Sequence, residues 1–360
     1  MKCIKCQTDS KYSERSSGTC PKCSAKFAFE PKSGDVFTDP AFAAAIDRVS
    51  ASDAVRFTEA NLFYELARSR RRAGSKKVIL VVLGIAICIV SAIIAAASGS
   101  IVPFVIGVLV GATVGVLGVV SKPSPTPELT RGAFSSMLGK WKSAHGTPAK
   151  LVHRVAPASK KEATKKALPS ELATYSFDRA VICDRPETVD LLLANNFHFE
   201  NNCAILAVNR YPEAVFGPVL EMLRNNPKIE VYALHDASKT GHDLARQLAT
   251  SPEWFRGIGR VTDVGILVKH AMKMRGLWQA AHGSPVTFPD LTTEENVWLS
   301  QYSLELAAMR PEQVIKRLFR AMTQPGTQVS TDDGAIFFFV GGSFGGSDAG
   351  TSDGGGDSFG

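Results

Sequence analysis

The sequence predicts an α/β protein with a parallel sheet in its C-terminal half, preceded by a small metal-binding unit and an apolar helical hairpin. Three observations lead to this fold class. From residue 177 onward, short apolar runs alternate with helical stretches. Two Cys-x-x-Cys pairs occupy the N-terminal segment. Residues 78–120 contain no charged side chain.

The first 30 residues carry two cysteine pairs, Cys3 with Cys6 and Cys20 with Cys23. Four thiolates complete the tetrahedral shell of Zn²⁺ and leave no open position for water. Two disulfides are the alternative use, but the reducing compartment inferred below disfavours them. We therefore predict a structural zinc ribbon over residues 1–30.

Residues 38–72 form the next predicted unit, a small helical segment. Asp39 and Pro40 open one helical stretch, and Thr58 suits the N-cap of a second that runs toward the apolar segment. Two short helices joined by a turn are typical of a winged-helix-like unit, although any small helical module shares the pattern.

The uncharged run of residues 78–120 divides into two apolar halves around a turn at residues 98–100. Each half has the length of about 20 residues needed to cross the hydrocarbon core of a bilayer. The sequence therefore predicts a hairpin of two transmembrane helices. The alternative is a pair of helices buried on all sides within a globular core.

Basic residues flank this hairpin on both sides, with Arg70 and Lys77 before it and Lys122 and Lys140 after it. Positively charged flanks favour the cytoplasmic side of a membrane. We accordingly expect a two-span protein of the bacterial inner membrane with both termini in the cytoplasm. The lipid bilayer would be one partner, and the formal net charge of +7 would reflect topology first and nucleic-acid binding second.

Glycine recurs at every fourth position in the second half of the hairpin, at Gly107, Gly111 and Gly115. Such a stripe of small residues allows another helix to approach closely. The partner helix would belong either to the same hairpin or to a second copy of the chain, as a homodimer.

The remaining segments surround the predicted sheet. Residues 128–170 read as a juxtamembrane helix followed by a basic linker, and residues 290–324 as a helical cap. Residues 341–360 are nearly half glycine and are expected to be disordered. The sequence is compatible with a hairpin that interrupts one folded unit or separates two.

Residues 177–285 hold the predicted α/β domain. Apolar runs at residues 180–183, 203–208 and 229–234 are separated by helical stretches, which indicates parallel strands with helical crossovers. Polar side chains just past the carboxyl ends of such strands line the functional crevice. Asp184 and Asp236 both occupy such positions.

The stretch AVICDRPETVDLLLANNFHFENNCAILAVNRYPEAVFGPVLEMLRNNPKIEVYALHDASKTGHDLA resembles a Toprim domain, specifically that of the topoisomerase VI A subunit family. Those proteins bind Mg²⁺ beside DNA with a glutamate after the first strand and an Asp-x-Asp-x-x-Gly motif after a later one. In this sequence Asp184 stands at the glutamate, Asp236 at the first aspartate, Ser238 at the second and Gly241 at the glycine.

The same resemblance extends to the helical segment. In that family a winged-helix domain carries the DNA-cleaving tyrosine in an aromatic pair, which Phe63 and Tyr64 resemble. The resemblance thus implies Tyr64 as a candidate nucleophile, with Asp184 and Asp236 as candidate catalytic ligands. A tyrosine on an apolar helix face is more often a core residue.

The departures from the family pattern bear on activity. The side chain of Asp184 is one methylene shorter than the family's glutamate, and Ser238 lacks the charge of the family's second aspartate. Mg²⁺ would therefore be held weakly. We therefore expect a noncatalytic, membrane-anchored module that binds nucleic acid or a nucleotide-containing ligand. The alternative is an active Mg²⁺-dependent nuclease or topoisomerase-like phosphotransfer enzyme.

Overall fold

The computed structural model describes residues 1–73, 76–98, 101–120, 125–152, 177–257, 260–283 and 286–323. The predicted basic linker, from residue 153 onward, and the glycine-rich tail at 341–360 lie outside the described residues. Within these ranges the N-terminal half has five α-helices: α1 (Asp39–Val49), α2 (Glu59–Ala73), α3 (Lys76–Ser98), α4 (Val102–Val120) and α5 (Arg131–His145).

The C-terminal half alternates strands and helices. Its elements are β1 (Arg179–Cys183), α6 (Pro186–Ala194), α7 (Phe197–Glu200), β2 (Cys203–Ala207), α8 (Glu213–Arg224), β3 (Glu230–Leu234), α9 (Lys239–His242), α10 (Leu244–Thr250), β4 (Arg260–Asp263), α11 (Val268–Lys273), β5 (Gln279–Ala280), α12 (Thr293–Gln301), β6 (Tyr302–Ser303) and α13 (Pro311–Thr323).

The helices of the N-terminal half begin at capping residues. The hydroxyl of Thr38 accepts a hydrogen bond from the amide of Ala41 at the start of α1. Before α2, the hydroxyl of Thr58 accepts from the amide of Asn61 at 3.3 Å, and the Asn61 side chain accepts from the amide of Thr58 at 3.0 Å. These reciprocal bonds satisfy amides that the first helical turn leaves unpaired.

The four long strands form one parallel sheet in the order β2-β1-β3-β4. This confirms the predicted parallel sheet of the C-terminal half. Cys183 pairs in register with Ala207 on one side and with Leu234 on the other, so these strands end at the same edge. The residues that follow them are therefore brought together at that edge.

Helices α3 and α4 form the predicted hairpin and pack on each other. A Cβ placed on Gly107 would lie 2.0 Å from the Cβ of Ser91, and one on Gly111 would lie 2.5 Å from the sulfur of Cys88. Two residues of the glycine stripe thus face α3 within the same chain. Homodimerisation through Gly107, Gly111 and Gly115 stays a prediction.

The prediction of two transmembrane helices is wrong. A helix must present about 20 consecutive apolar residues to cross a bilayer. Across the residue ranges described above, none of the helices combines that length with the required apolar character. The predictions that depended on it are corrected with it: the two-span membrane topology and the bacterial inner-membrane location with cytoplasmic termini. The lipid bilayer as a partner stays a prediction.

The hairpin interrupts a single folded unit. Leu151 pairs with Phe57, because the amide of Val152 donates to the carbonyl of Phe57 at 2.8 Å. Side chains from before and after the hairpin share one hydrophobic core, in which Phe63 of α2 packs against Phe134 of α5 with ring centroids 5.7 Å apart. The same core continues to Trp278 in the C-terminal half.

The cysteine-bearing segment is attached to this core through a buried carboxylate. Asp39, at the start of α1, accepts hydrogen bonds from the amides of Ala28 and Phe29 at 3.0 and 2.9 Å. The Nε2 atom of His145, at the end of α5, lies 2.6 Å from the same carboxylate. One side chain therefore joins the end of the N-terminal segment to two helices.

Candidate functional site

The four cysteines of the N-terminal segment form a compact cluster of free thiols. Their sulfur atoms all lie within 4.8 Å of one another, with 3.7 Å between Cys3 and Cys23 and 3.6 Å between Cys6 and Cys20. Tetrahedral coordination at a Zn–S distance of about 2.3 Å requires sulfur atoms roughly 3.8 Å apart. The cluster is therefore compatible with a bound metal ion of this kind.

The two cysteine pairs reach this geometry through the same turn. The amide of Gln7 donates to the carbonyl of Cys3, and the amide of Ser24 donates to that of Cys20, both at 2.9 Å. Gln7 and Ser24 both adopt left-handed backbone conformations, with φ of 58° and 57°. Hydrogen bonds with the hydroxyl and the backbone of Thr8 lower the pKa of Cys6 to about 6, which favours the ligating thiolate.

At the carboxyl edge of the sheet, the structure brings together the two predicted acidic residues. Asp184 follows β1 and Asp236 lies just past β3, and the amide of Asp236 donates to the Oδ2 atom of Asp184 at 2.8 Å. Asp236 is only 2% exposed. The convergence that the Toprim resemblance implied for these two residues is thus present.

Both oxygen atoms of the Asp236 carboxylate are engaged within the chain. Oδ1 accepts from the amide of Leu306 at 2.6 Å, and Oδ2 accepts from the Nε atom of Arg185. Burial raises the pKa of Asp236 to about 7, the negative charge of Asp184 adds to the rise, and the charge of Arg185 opposes it. Burial also raises the pKa of Asp184, whose Oδ1 atom is buried without a hydrogen-bond partner.

His235 precedes Asp236 at this edge and is held by two polar contacts. Its Nδ1 atom lies 2.7 Å from the carbonyl oxygen of Asp236, and its Nε2 atom lies 2.9 Å from a carboxylate oxygen of Asp263. Because both neighbours are acceptors, both ring nitrogens donate, which describes the charged imidazolium. Burial alone would lower the pKa of His235, but the hydrogen bond to Asp263 and that residue's charge raise it.

Ser238 and Gly241 serve the turn that follows β3. The Ser238 hydroxyl accepts from the amide of Gly241 at 3.0 Å and caps α9. A Cβ on Gly241 would lie 2.2 Å from the carbonyl oxygen of Asp236, so only glycine fits there. In the structure Ser238 therefore acts as a helix cap.

Tyr64 lies in the hydrophobic core of the described residues. Its side chain is fully buried, and its hydroxyl accepts a hydrogen bond from the Nε2 atom of Gln279 at 3.3 Å. Burial raises the pKa of Tyr64 well above its ordinary value. These surroundings are typical of a packing residue, and the nucleophilic role stays a prediction.

A pocket of about 260 Å³ opens beside Asp236, and we call it the arginine pocket. Arg131 at the start of α5 and Arg185 at the start of α6 project into it, together with Glu305. Its full lining is Thr58, Ala60, Asn61, Arg131, Arg185, Glu187, Thr188, Leu191, Asp236, Glu305, Leu306, Ala307 and Val314.

Sequence reasoning missed the arginine pocket. One signal was available, because Arg185 directly follows Asp184 at the end of a strand. Glu305 follows the short strand β6 and carries no motif, and Arg131 lies on the far side of the hairpin in sequence. Only the packing of the two halves of the chain brings these residues together.

Metal-binding geometry in the described part of the chain is confined to the thiols. The four cysteines form the one group there in which three or more ligating side chains lie close enough to share an ion. Asp184 and Asp236 gather no third ligand within the same residues.

The chain thus belongs to the class of α/β proteins with a four-stranded parallel sheet and an appended four-cysteine cluster. No protein-family model, no curated protein and no solved structure matches it. The resemblance to the Toprim domain of the topoisomerase VI A subunit family therefore stays a prediction.

Proposed function

We propose that this chain is a noncatalytic binding module whose Toprim-like α/β unit holds a nucleotide-containing ligand or nucleic acid. The observation that carries the proposal is that both oxygen atoms of the Asp236 carboxylate already have partners within the chain. Arg185 and the amide of Leu306 use both of its oxygen atoms. A catalytic Mg²⁺ needs several oxygen ligands in near-octahedral geometry. In this chain the guanidinium group of Arg185 contacts the carboxylate that such an ion would need as a ligand.

The four thiols are assigned to structural Zn²⁺ in this proposal. Their spacing suits tetrahedral coordination, and all four positions of the shell are filled by protein sulfur. Such a site stabilises a small segment that has little core of its own. Zinc would therefore hold the N-terminal segment in the geometry that allows Asp39 to anchor it.

The ligand half of the proposal rests on charge. The chain has a formal net charge of +7, and two arginines face a pocket at the edge of the sheet. Guanidinium groups bind phosphate oxygens with directed, charge-assisted hydrogen bonds. Nucleotides and nucleic acids are the phosphate-bearing ligands that fit this chemistry.

One observation favours a second candidate, an active Mg²⁺-dependent nuclease or topoisomerase-like enzyme. The buried Oδ1 atom of Asp184 has no hydrogen-bond partner, and the side chain of Arg185 is 48% exposed. Movement of Arg185 toward solvent would leave two neighbouring carboxylates for an ion. This enzyme would require that rearrangement before each metal-binding event.

Calorimetry on the full chain tests the two candidates. We expect no binding of Mg²⁺ or Mn²⁺ at micromolar concentrations, and binding of ATP or a short oligonucleotide at low salt. Asp236→Ala serves as the control for any metal signal. Mg²⁺-dependent DNA cleavage that disappears in Asp236→Ala would establish the enzyme instead, and absence of binding to both ATP and oligonucleotide would refute the ligand half.

A further inference from the structure

We propose that the arginine pocket binds the phosphate monoester of a small ligand of mononucleotide size, and that Glu305 occupies the phosphate position in the free protein. This inference rests on the proposed function and names the site and the chemistry of its ligand. The site differs from the pair of aspartates at the edge of the sheet, because the side chains that line the arginine pocket come from both halves of the chain.

The two guanidinium groups of the pocket converge on one carboxylate. Arg131 pairs with the Oε2 atom of Glu305, and the Nη1 atom of Arg185 lies 3.7 Å from its Oε1 atom. Two arginines that each face one oxygen of the same carboxylate present the arrangement of donors that a phosphate group also requires. Glu305 therefore marks where an anionic ligand would be held.

Both arginines are held in position by other contacts. The guanidinium carbon of Arg131 lies 4.2 Å from the centre of the Phe63 ring, a cation–π arrangement. The Nε atom of Arg185 donates to Asp236, which leaves its Nη1 atom directed to Glu305. Prepositioned donors lose less conformational entropy when a ligand binds.

Three helices begin at the pocket. The lining includes first-turn residues or caps of α2 (Thr58 and Ala60), α5 (Arg131) and α6 (Arg185 and Thr188). The N-terminus of a helix carries a partial positive charge that favours anions. These helix ends add to the field of the two arginines at the same place.

The size of the pocket limits the ligand. Its volume of about 260 Å³ lies just below the range of roughly 300–1,000 Å³ that is usual for small-molecule sites. One phosphorylated nucleoside or a smaller phosphate ester matches this volume, whereas a duplex does not. We therefore assign the pocket to a free phosphate monoester, and make binding of a nucleic-acid strand an outcome of the test.

Glu305 sets the affinity of the pocket. An incoming phosphate must displace this carboxylate from Arg131 and Arg185, because the N–H groups that now face Glu305 are the ones that would contact the phosphate. Asp236 and Glu187 are further acidic residues in the lining, so three carboxyl side chains face the two arginines while Glu305 is in place, and displacement of Glu305 leaves two of each. Glu305→Gln keeps the size of the side chain but removes its charge, and it should tighten phosphate binding.

The test measures binding of inorganic phosphate, AMP and a short oligothymidylate to the full chain by calorimetry at low salt. AMP should bind more tightly than inorganic phosphate. Loss of one charge-assisted contact in Arg131→Ala or Arg185→Lys should weaken AMP by about tenfold, and Glu305→Gln should tighten it by a similar factor. Arg256→Ala, at an exposed position outside the pocket, is the matched control and should leave binding unchanged.

The outcomes separate this inference from the proposed function. If AMP or the oligonucleotide binds with unchanged affinity in the pocket variants, the pocket assignment is refuted while the binding function stands. If the oligonucleotide binds in the pocket and AMP does not, the ligand is a nucleic-acid strand and the small-ligand assignment is refuted. If no probe binds, both fail. The tightening expected from Glu305→Gln cannot result from misfolding, and thermal unfolding checks the variants that weaken binding.

Discussion

The amide nitrogen of Phe57 lies 3.0 Å from the carbonyl oxygen of Lys150 and donates a hydrogen bond to it. These residues stand on opposite sides of the hairpin in sequence. Toward the other end of α2, the Nε atom of Arg70 lies 3.5 Å from a carboxylate oxygen of Glu128. The two ends of the hairpin are thus brought together by the folded unit itself, and the hairpin is an insertion into that unit.

Removal of the hairpin should leave the rest of the protein folded. Replacement of residues 74–124 by a short Gly-Ser linker removes helices that pack on each other, while the paired segments at Phe57 and Leu151 remain. We expect cooperative thermal unfolding with a midpoint close to that of the full chain. Phe57→Ala in the full chain is the destabilised reference, at about 3–5 kcal/mol for a fully buried ring. Loss of cooperative unfolding in the shortened chain would contradict the insertion.

Metal content tests the cysteine cluster. The purified chain should contain one zinc ion, and Cys20→Ser should lose it because one of the four thiolates is missing. Cys88→Ser, at a thiol in α3 away from the cluster, should keep the metal. Elemental analysis of the three proteins decides the matter, and zinc retained by Cys20→Ser would argue against the four-thiolate site.

The local sequence pattern was sufficient to predict strands β1, β2 and β3 and the cysteine cluster. The apolar runs predicted at residues 180–183, 203–208 and 229–234 agree with β1, β2 and β3 to within one residue at each end. The resemblance to the Toprim domain implied that Asp184 and Asp236 lie together, and in the structure the parallel strands that they follow end at a common edge. The strands and the cysteine pairs were predicted from residues that are close in sequence, whereas the convergence of the two aspartates was predicted from the resemblance.

Contacts between segments that are distant in sequence could not be predicted in this way. Arg185 forms an ion pair with Asp236, and Glu305 forms one with Arg131, which lies in the other half of the chain. No periodicity or motif relates these positions. The uncharged run of residues 78–120 correctly indicated two apolar helices, but the apolar length assigned to each half, together with the basic flanks, led to the incorrect membrane assignment.

A buried ion network predicts how stability changes in acid. Burial alone would raise the pKa of Glu65, but the hydrogen bond from Arg310 and the charges of Arg68 and Arg310 lower it from 4.5 to about 2. A carboxylate whose pKa is depressed by folding stabilises the folded state above its unfolded pKa, and this stability is lost as the pH falls. The contribution of Glu65 should therefore disappear between about pH 4.5 and 2, and amounts to roughly 3 kcal/mol.

Urea unfolding across this pH range measures the effect of Glu65. Glu65→Gln should be destabilised at neutral pH, because three buried or half-buried arginines lose their common partner. Its stability should also vary less with pH between 4.5 and 2 than that of the parent chain. Glu253→Gln, at an exposed position, is the control. An unchanged pH profile in Glu65→Gln would assign the acid sensitivity to other carboxylates.

Gly265 lies so close to His235 that we expect position 265 not to tolerate a larger side chain. A Cβ at residue 265 would lie 2.3 Å from the Nε2 atom of His235. The ring cannot turn away without breaking its hydrogen bonds to Asp263 and to the carbonyl of Asp236. Gly265→Ala should therefore lower the free energy of unfolding by about 1–3 kcal/mol, as for other overpacked sites.

Gly139→Ala is the matched control for Gly265→Ala. Gly139 lies inside α5 and has no neighbouring atom within 4 Å of an added Cβ. Alanine is favoured over glycine in a helix interior, so this variant should gain up to about 1 kcal/mol. Urea unfolding should thus show opposite shifts for two identical substitutions. Equal stability of Gly265→Ala and the parent chain would mean that His235 moves freely, and the two-sided hydrogen bonding of its ring would then be refuted.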